Sequence, residues 1–241
     1  MNQTHIDFWQ KQFADFRTIV VANGEVPDSE LSLIILNDKK RRIICCDGAL
    51  QKLLSVNVVP DVVVGDGDSM DAEMLQRETD SVSPCRDDVH IVSTNGHEIP
   101  YHQDRSEEYN DLQKALKYCI SKGCDNVLLM GCAGLREDHF IANLSIMVMY
   151  SERLNLLMLT ENGVFNVFRS TVTLASFPGM PVSVFSRNTL SKLTFSGLKY
   201  PVNNRAFNWL WEGSLNEALE DAFIVEASDD EPVVVYRAIS R

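Results

Sequence analysis

The chain has 241 residues, 45% of them apolar and 23% charged, which excludes a disordered chain, a collagen-like repeat and a coiled coil. This length allows one large domain or two small ones. Lys and Arg number 22 against 34 Asp and Glu, so the formal net charge is −12. Such an anionic chain repels a phosphate backbone, which disfavours general binding to nucleic acid.

The sequence also predicts where the protein works. No apolar run approaches the ~18 residues that span a bilayer, and residues 1–13 lack the basic and apolar regions of a signal peptide. The cysteines show neither C-x-x-C spacing nor a His at a zinc-ligand spacing. We therefore expect a cytoplasmic protein with reduced thiols that binds no membrane. Three cysteines in apolar runs are predicted core residues: Cys45, Cys46 and Cys132.

Short β-branched runs alternate with helical patterns along the first part of the chain. The predicted strands are residues 18–23, 42–46, 61–66, 89–93 and 125–131. The predicted helices are residues 29–37, 48–54, 70–78, 109–123 and 137–154. This alternation indicates βαβ units and a parallel sheet covered by helices on both faces.

The pattern changes near residue 155, after which strand-like runs follow one another with only turn residues between them. These runs are residues 154–160, 164–170, 171–176, 181–186, 192–197, 222–228 and 232–238. They predict an antiparallel β-sandwich or barrel. We therefore predict an α/β domain over 1–155 and a β-sandwich domain over 156–241.

Glycines and polar residues recur where the predicted parallel strands end. The segments are Asn23-Gly24, Asp47-Gly48, Gly65-Asp66-Gly67-Asp68-Ser69 and Ala133-Gly134-Leu135-Arg136-Glu137-Asp138-His139. Ligands of open α/β sheets bind beyond the carboxyl ends of the strands. Glycine lets the backbone approach a phosphate, and aspartate holds a metal ion. A ligand site is therefore predicted at this edge.

The sharpest of these segments holds Asp66 and Asp68 one residue apart, so that both can point at one Mg²⁺ ion. The competing interpretation is a turn that is rich in Asp and Gly for its own geometry. Asn110 is the predicted N-cap of the helix over 109–123. Asp111, in the first turn of that helix, is either a third carboxylate or a residue that favours the helix dipole. The spacing leaves this choice open.

The segment from Arg136 to His139 begins the last predicted helix of the α/β part. A helix N-terminus attracts phosphate, and Arg136 could add a bidentate contact. An exposed acidic helix start, with His139 hydrogen-bonded to backbone, is the alternative. The sequence has no G-x-x-x-x-G-K-[ST] loop, G-x-G-x-x-G fingerprint or G-x-S-x-G elbow.

Taken in chain order, these segments resemble the thiamin pyrophosphokinase family. Its pattern runs D-G-G/A, G-D-x-D-S, Q-x-x-x-T-D-x-x-K-A, G-G-R-x-D-H, G-L-x-Y/W and S-N. The matching segments here are residues 47–49, 65–69, 110–115, 134–139, 197–200 and 214–216. Asn110, Leu135 and Leu215 stand where the family has Thr, Gly and Ser. Either Gln103 or Glu107 matches the family Gln.

The resemblance implies transfer of the pyrophosphoryl group of ATP to thiamine's hydroxyl, giving thiamine diphosphate and AMP. It implies three Mg²⁺ ligands, Asp66, Asp68 and Asp111. It implies nucleotide and transfer residues: Asn23, Asp47, Gly48, Gly134, Arg136, Asp138 and His139. It implies thiamine contacts at Tyr200, Ser214 and Asn216. A homodimer is implied as well, with thiamine between one subunit's α/β domain and the other's β domain.

Three other functions stay open at this stage. The first is a related pyrophosphokinase that acts on a pterin alcohol. The second is a phosphatase of the haloacid-dehalogenase type, for which Asp66 would be the covalent nucleophile. The third is a non-catalytic nucleotide sensor on the same fold. The sequence assigns no role to residues 81–107.

Overall fold

The computed structural model describes residues 1–26, 28–69, 75–76, 89–94 and 96–240. Its α-helices are α1 Gln3–Gln12, α2 Glu30–Leu36, α3 Leu50–Ser55, α4 Asp111–Ser121 and α5 Glu137–Tyr150. Its first eight strands are β1 Thr18–Val21, β2 Arg42–Cys46, β3 Val62–Gly65, β4 Leu75–Gln76, β5 Val89–Thr94, β6 His97–Gln103, β7 Asn126–Met130 and β8 Asn155–Leu159. The others are β9 Gly163–Phe168, β10 Thr171–Ala175, β11 Pro181–Ser186, β12 Lys192–Ser196, β13 Val202–Ala206, β14 Asn216–Glu217, β15 Ala222–Ala227 and β16 Val233–Ala238.

A twelve-stranded sheet runs through the molecule in the order β14-β11-β16-β9-β8-β7-β1-β2-β3-β6-β5-β4. Its six central strands, β8 to β6, are parallel, and four of them, β1, β2, β3 and β7, are strands that the βαβ pattern predicts. Two expectations are wrong. The run 154–160, expected in the antiparallel part, forms β8, which is parallel to β7 because α5 crosses over between them. The run 89–93, expected in the parallel part, forms β5, which follows β6 as its antiparallel neighbour. The chain builds outward from β1 through β2 and β3, then returns to add β7 on the other side of β1. The strand order therefore switches direction between β1 and β7, where such sheets form a crevice.

The second sheet is antiparallel and has the order β10-β15-β12-β13. Side chains from both sheets share one hydrophobic core, with Val182 and Val184 on the first sheet and Phe195 and Val225 on the second. This confirms the antiparallel sandwich that follows the α/β part. Strand β8 pairs in parallel with β7, so the hydrogen bonds continue across residue 155. The division into 1–155 and 156–241 stays a prediction.

Several local expectations have clear outcomes. Cys45, Cys46 and Cys132 are buried, as predicted. The helix predicted over 70–78 is wrong at Leu75–Gln76, which form the edge strand β4, and its other residues lie outside the described ones. The sequence pattern did not predict four elements that the structure contains: α1, β6, β13 and β14. Among the described helices, none has both the length and the apolar character of a membrane span.

Helix α1 joins the amino end of the chain to its carboxyl end. The Asn2 side chain caps the helix by accepting the His5 N–H at 2.9 Å. Trp9 is completely buried, and its Nε1 donates to the Ile239 carbonyl at 3.2 Å. The guanidinium of buried Arg237 lies 4.9 Å from the Trp9 ring centroid. One aromatic side chain thus closes the core and covers a buried cation.

We expect Trp9→Ala to lower the free energy of unfolding by about 3–5 kcal/mol, because it removes a buried ring and leaves a cavity. Urea denaturation at neutral pH measures this loss. Lys11→Ala, on the exposed face of the same helix, is the matched control and should change stability little. Equal effects of the two variants would show that α1 lies on the surface without closing the core.

Candidate active site

Three carboxylates meet where β2 and β3 end. Asp47 follows the last residue of β2, and Asp66 and Asp68 follow β3. Because β2 and β3 are parallel neighbours, their carboxyl ends lie side by side. One carboxylate oxygen from each of the three residues lies within 4.8 Å of the others. The structure thus brings Asp66 and Asp68 together as predicted and adds Asp47, expected among the nucleotide residues.

Asp47 is held by backbone donors in a buried position. Its carboxylate accepts the N–H of Gly48 at 2.7 Å and the N–H of Gly67 at 3.0 Å. Burial raises its pKa to about 6. A Cβ at Gly65 would lie 2.3 Å from the Asp47 carboxyl carbon, so any other residue there would displace the Asp47 carboxylate. The glycine before Asp66 therefore makes room for the carboxylate of the neighbouring strand.

A buried lysine on α4 joins the carboxylate cluster to Asp111. Lys114 is 3% exposed, and its Nζ lies 2.6 Å from Asp66 Oδ2 and 3.4 Å from Asp111 Oδ1. Burial opposes its charge, yet the hydrogen bond to Asp66 and both carboxylates raise the pKa of Lys114 overall. The same hydrogen bond lowers the pKa of Asp66, whereas burial raises that of Asp111.

Sequence reasoning assigned no role to Lys114. The signal that could have found it is its position three residues after Asp111, on the same face of α4. Asn110 begins this helix through a capping box, in which its side chain accepts the Gln113 N–H at 2.9 Å. The predicted N-cap is confirmed, and it fixes the turn that presents both Asp111 and Lys114.

Strand β6 supports the Asp66 loop from the other side. The Tyr101 hydroxyl donates to the Gly65 carbonyl at 2.9 Å, and Gln103 Nε2 donates to the Asp66 carbonyl at 3.1 Å. Glu107 is exposed. Of the two positions considered for the family glutamine, Gln103 is therefore the one that contacts the loop.

A cavity of about 490 Å³ opens at the switch between β1 and β7, and we call it the central cavity. Its lining includes five of the residues discussed here: Asn23, Lys52, Asp111, Arg136 and His139. The structure thus brings together four residues expected around the nucleotide and metal. Lys52, on α3, is an addition that sequence reasoning missed.

The cations of the central cavity already have partners. Lys52 Nζ donates to the carbonyl and amide oxygens of Asn23 at 2.6 and 2.7 Å. Arg136 forms a bidentate pair with Asp138 at 3.0 and 2.6 Å, and both side chains are exposed. A Cβ at Gly48 would lie 2.2 Å from Asn23 Nδ2, so a side chain at position 48 would displace the Asn23 amide.

The three expected thiamine contacts lie elsewhere in the fold. Asn216, in β14, accepts the Tyr200 N–H at 3.0 Å and donates to the Tyr200 carbonyl at 2.8 Å. Tyr200 is 59% exposed, so it is not a residue of the hydrophobic core. Ser214 donates to the Trp211 carbonyl at 2.7 Å. Tyr200, Ser214 and Asn216 do not line the central cavity of their own chain.

Two family models match most of the chain. The one described as "Thiamin pyrophosphokinase, catalytic domain" matches residues 34–158. The one described as "Thiamin pyrophosphokinase, substrate-binding domain" matches residues 163–236. A curated "Thiamine pyrophosphokinase" of Bacillus subtilis is 24% identical over 198 residues, covering 77% of this chain and 81% of the relative.

Solved structures show the same fold. The thiamine pyrophosphokinase of Bacillus subtilis superposes with a TM-score of 0.69 at 19% identity, covering 92% of this chain and 98% of that one. The thiamin pyrophosphokinase of Candida albicans gives a TM-score of 0.71 at 17% identity, covering 95% and 92%. Both comparisons extend over the parallel and the antiparallel parts of the chain.

We expect Lys114→Met to lower the free energy of unfolding at pH 7 by about 1–3 kcal/mol, since it removes hydrogen bonds between charged groups. Water screens part of the attraction between Lys114 and its two carboxylates, because the Asp66 and Asp111 side chains are about one-third exposed. Lys114 depresses the pKa of Asp66, so its stabilising effect is present above the unfolded value of about 3.9 and lost in acid.

Urea denaturation at several pH values tests this expectation. The difference between the native chain and Lys114→Met should shrink as the pH falls below about 4. Lys117→Met, on the same helix, is the matched control, because the Lys117 ammonium lies over the Tyr109 ring at the surface, 3.6 Å from its centroid. A difference that stays constant from neutral to acidic pH would contradict the proposed coupling to Asp66.

Proposed function

The chain belongs to the thiamin pyrophosphokinase family, and we propose residue roles for its transfer of a pyrophosphoryl group from ATP to thiamine. The oxygen of thiamine's hydroxyl attacks the β-phosphorus of ATP. The bond from this phosphorus to the oxygen that bridges to the α-phosphorus breaks, so AMP leaves and thiamine diphosphate forms. The pterin pyrophosphokinase, phosphatase and sensor alternatives gain no support from these matches.

The observation that carries the proposed site is the acidic cluster beside a cavity lined with cations. We assign Mg²⁺ binding to Asp66, Asp68 and Asp111, with Asp47 as a further neighbouring carboxylate. Hard carboxylate oxygens are ligands that suit Mg²⁺. When bound, the ion would neutralise charge on the transferring phosphates. Lys114 keeps the Asp66 carboxylate ionised and directed toward Asp111.

The polyphosphate is assigned to the central cavity. Arg136 stands at the start of α5, where free backbone N–H groups favour an anion. Its exposed pair with Asp138 is easily exchanged for a phosphate oxygen, because water screens such pairs. Asp138 therefore orients the guanidinium before ATP arrives. Lys52 adds positive charge at the same cavity, and His139 contributes an imidazole to its lining.

Thiamine is assigned to the surface around Tyr200. The buried Asn216 amide forms hydrogen bonds with both the N–H and the carbonyl of Tyr200. Asn216 therefore acts as a residue that positions Tyr200. The exposed Tyr200 ring is then free to stack on the flat pyrimidine. Leu215, which stands where the family has Ser, is 86% exposed with a left-handed φ of 63°.

The distance between β14 and β3 along the sheet favours a site built by two subunits. Strand β14 lies eight strand positions from β3, or roughly 38 Å at about 4.8 Å per spacing. One thiamine molecule cannot span this within a single chain. A homodimer in which a partner supplies Tyr200 and Asn216 removes the difficulty. Large apolar side chains more than half exposed offer a contact surface: Tyr200, Trp209, Leu210, Trp211, Leu215 and Leu219.

The cellular location is also part of the proposal. The five described cysteines are all free thiols, which suits a reducing compartment. We assign the protein to the cytoplasm, where ATP is available.

Incubation with thiamine, ATP and Mg²⁺ should give AMP and thiamine diphosphate in equal amounts, measured by chromatography. Asp68→Asn should lower turnover at least a hundredfold, since it removes a charge that holds Mg²⁺ against the phosphates. Asp230→Asn, at an exposed loop of the sandwich, is the matched control and should retain activity. ADP with thiamine monophosphate as products would contradict the pyrophosphoryl transfer.

We expect Tyr200→Ala to raise the thiamine KM about tenfold, which corresponds to ~1.4 kcal/mol of lost stacking and contact. Mixing it with Asp68→Asn tests the shared site, because each variant carries the residue that the other lacks. At thiamine concentrations below KM, random exchange in a twofold dimer should restore about one quarter of native activity. Half of the dimers contain one chain of each variant, and each of these mixed dimers has one intact site out of its two.

The same experiment has a clear contrary result. If each site lies within one chain, the mixture should show only the average activity of the two separate variants. Light scattering at the assay concentration gives the oligomeric state. A fully active monomer would overturn the shared-site proposal while leaving the reaction itself in place.

A further inference from the structure

Two cysteines meet where helix α4 ends. The helix has Lys122 as its C-cap, followed by Gly123 with a left-handed φ of 69°. The Gly123 N–H donates to the Ile120 carbonyl at 3.1 Å, and the Cys124 N–H donates to the Cys119 carbonyl at 3.0 Å. These two hydrogen bonds form a Schellman motif, in which the side chains at the positions of Cys119 and Cys124 commonly touch. The way the helix ends therefore brings the two cysteines together.

The contact between these side chains is made by their sulfur atoms. Burial raises the pKa of the Cys119 thiol, and a hydrogen bond with the Cys124 thiol raises it further. A disulfide needs two backbones that lie close and two side chains that point at one another. The hydrogen bond between the Cys124 N–H and the Cys119 carbonyl supplies the first condition, and the sulfur contact supplies the second.

The two sulfurs differ in their access to solvent. Cys119 is completely buried, whereas Cys124 is half-buried. The other three described cysteines, Cys45, Cys46 and Cys132, are buried. Among the described cysteines, an oxidant in solution therefore reaches Cys124 first. Cys119 then reacts within the chain, where it needs no contact with solvent.

Two cations lie beside the pair. Arg42 donates to the Tyr118 hydroxyl at 3.2 Å, and its guanidinium opposes the rise in the pKa of Cys119. The Lys122 ammonium lies 5.2 Å from the centroid of the same Tyr118 ring. Reactive cysteines sit in partly exposed surroundings of positive charge. These cations favour an anionic oxidant at this point of a chain whose net charge is −12.

We propose that Cys119 and Cys124 form a reversible redox modification site, whose oxidant is a small anionic disulfide of the glutathione type. The Cys124 thiol loses its proton to water, and its sulfur attacks one sulfur of glutathione disulfide. The disulfide bond of the oxidant breaks, and one glutathione leaves as a thiolate that takes up a proton. The Cys119 sulfur then attacks the Cys124 sulfur, and its proton goes to the second glutathione as that leaves. Two protein thiols are thus oxidised, and one disulfide is reduced to two thiols.

The position of the pair gives this modification a structural consequence. The disulfide joins the last turn of α4 to the segment that precedes β7, and the first turn of α4 carries Asp111 and Lys114. A cross-link reduces the freedom of the unfolded chain. Oxidation therefore stabilises the end of the helix that presents Asp111 and Lys114 to the carboxylate cluster. Disulfides in the cytoplasm are usually transient, which suits a reversible modification.

Glutathione buffers of graded composition test the site on the full chain, without thiamine or ATP. Every protein in the test carries Cys85→Ser, because Cys85 lies outside the described residues. Trypsin cleaves after Lys122, so only a disulfide keeps the peptides 118–122 and 123–136 together. Fragmentation of the linked peptides by mass spectrometry distinguishes Cys124 from Cys132. We expect linked peptides that dithiothreitol separates.

A comparison with the unfolded chain measures what the fold contributes. If the Schellman motif aligns the two sulfurs, the native chain should be half oxidised at a glutathione ratio that is more reducing by about tenfold or more than in urea. This comparison requires no substitution of either cysteine, so it holds even if a variant at position 119 or 124 does not fold.

Single variants separate the two chemical steps. Cys119→Ala should stop at a mixed disulfide between Cys124 and glutathione, because no second sulfur displaces the glutathione. Cys124→Ser should form neither a disulfide nor an adduct, because Cys119 is buried. The matched control combines Cys119→Ala with Lys117→Cys, which keeps the number of cysteines but moves one to an exposed position of α4. It should also stop at glutathione adducts.

Two results would overturn the inference. One is half-oxidation at the same glutathione ratio in the native and the unfolded chain, since the fold would then contribute nothing to pairing. The other is a native chain that keeps glutathione on Cys124 while Cys119 stays a thiol. The outcome is independent of the proposed reaction. A native disulfide in a chain that makes no thiamine diphosphate supports the redox site and contradicts only the pyrophosphoryl transfer.

Discussion

Electrostatic repulsion between gathered carboxylates is the constraint on which the site depends. Asp47, Asp66 and Asp68 meet at one sheet edge, with Asp111 nearby, and like charges this close oppose one another. The structure offsets them with one buried ammonium, Lys114, and with backbone N–H groups that bind Asp47. A divalent cation would complete this compensation, so the stability of the edge and its capacity for Mg²⁺ have one physical origin.

The parallel sheet joins the central cavity to this carboxylate edge. The switch in strand order opens the cavity between β1 and β7, where Lys52, Arg136 and Asp111 line it. Lys114 bridges Asp111 to Asp66, so the cavity adjoins the carboxylate cluster. In the proposed site, a polyphosphate would therefore meet the cations of the cavity and the Mg²⁺ held by the carboxylates.

The antiparallel part explains why the chain needs more than an ATP site. Strand β8 continues the sheet from the parallel into the antiparallel strands, so the fold sets β14 far from β3. Tyr200 and Asn216 therefore lie away from the carboxylates of their own chain, among exposed apolar side chains. In the proposed dimer, the distance that separates the residues in one chain lets each subunit complete the other's site.

Local patterns in the sequence predicted the alternation of strands and helices, the later sandwich, the Asp66–Asp68 pair and the Asn110 cap. These depend on side-chain periodicity and on residues close in the chain. The sequence did not predict α1, whose Trp9 packs on Arg237 and donates to the Ile239 carbonyl, both far from it in the chain. Nor did it place Asp47 beside Asp66, or Lys114 between Asp66 and Asp111. Those contacts follow from strand register and from how α4 packs on the sheet. Tertiary structure alone decided them, because charges distant in the chain interact only when the backbone brings them within a few ångströms.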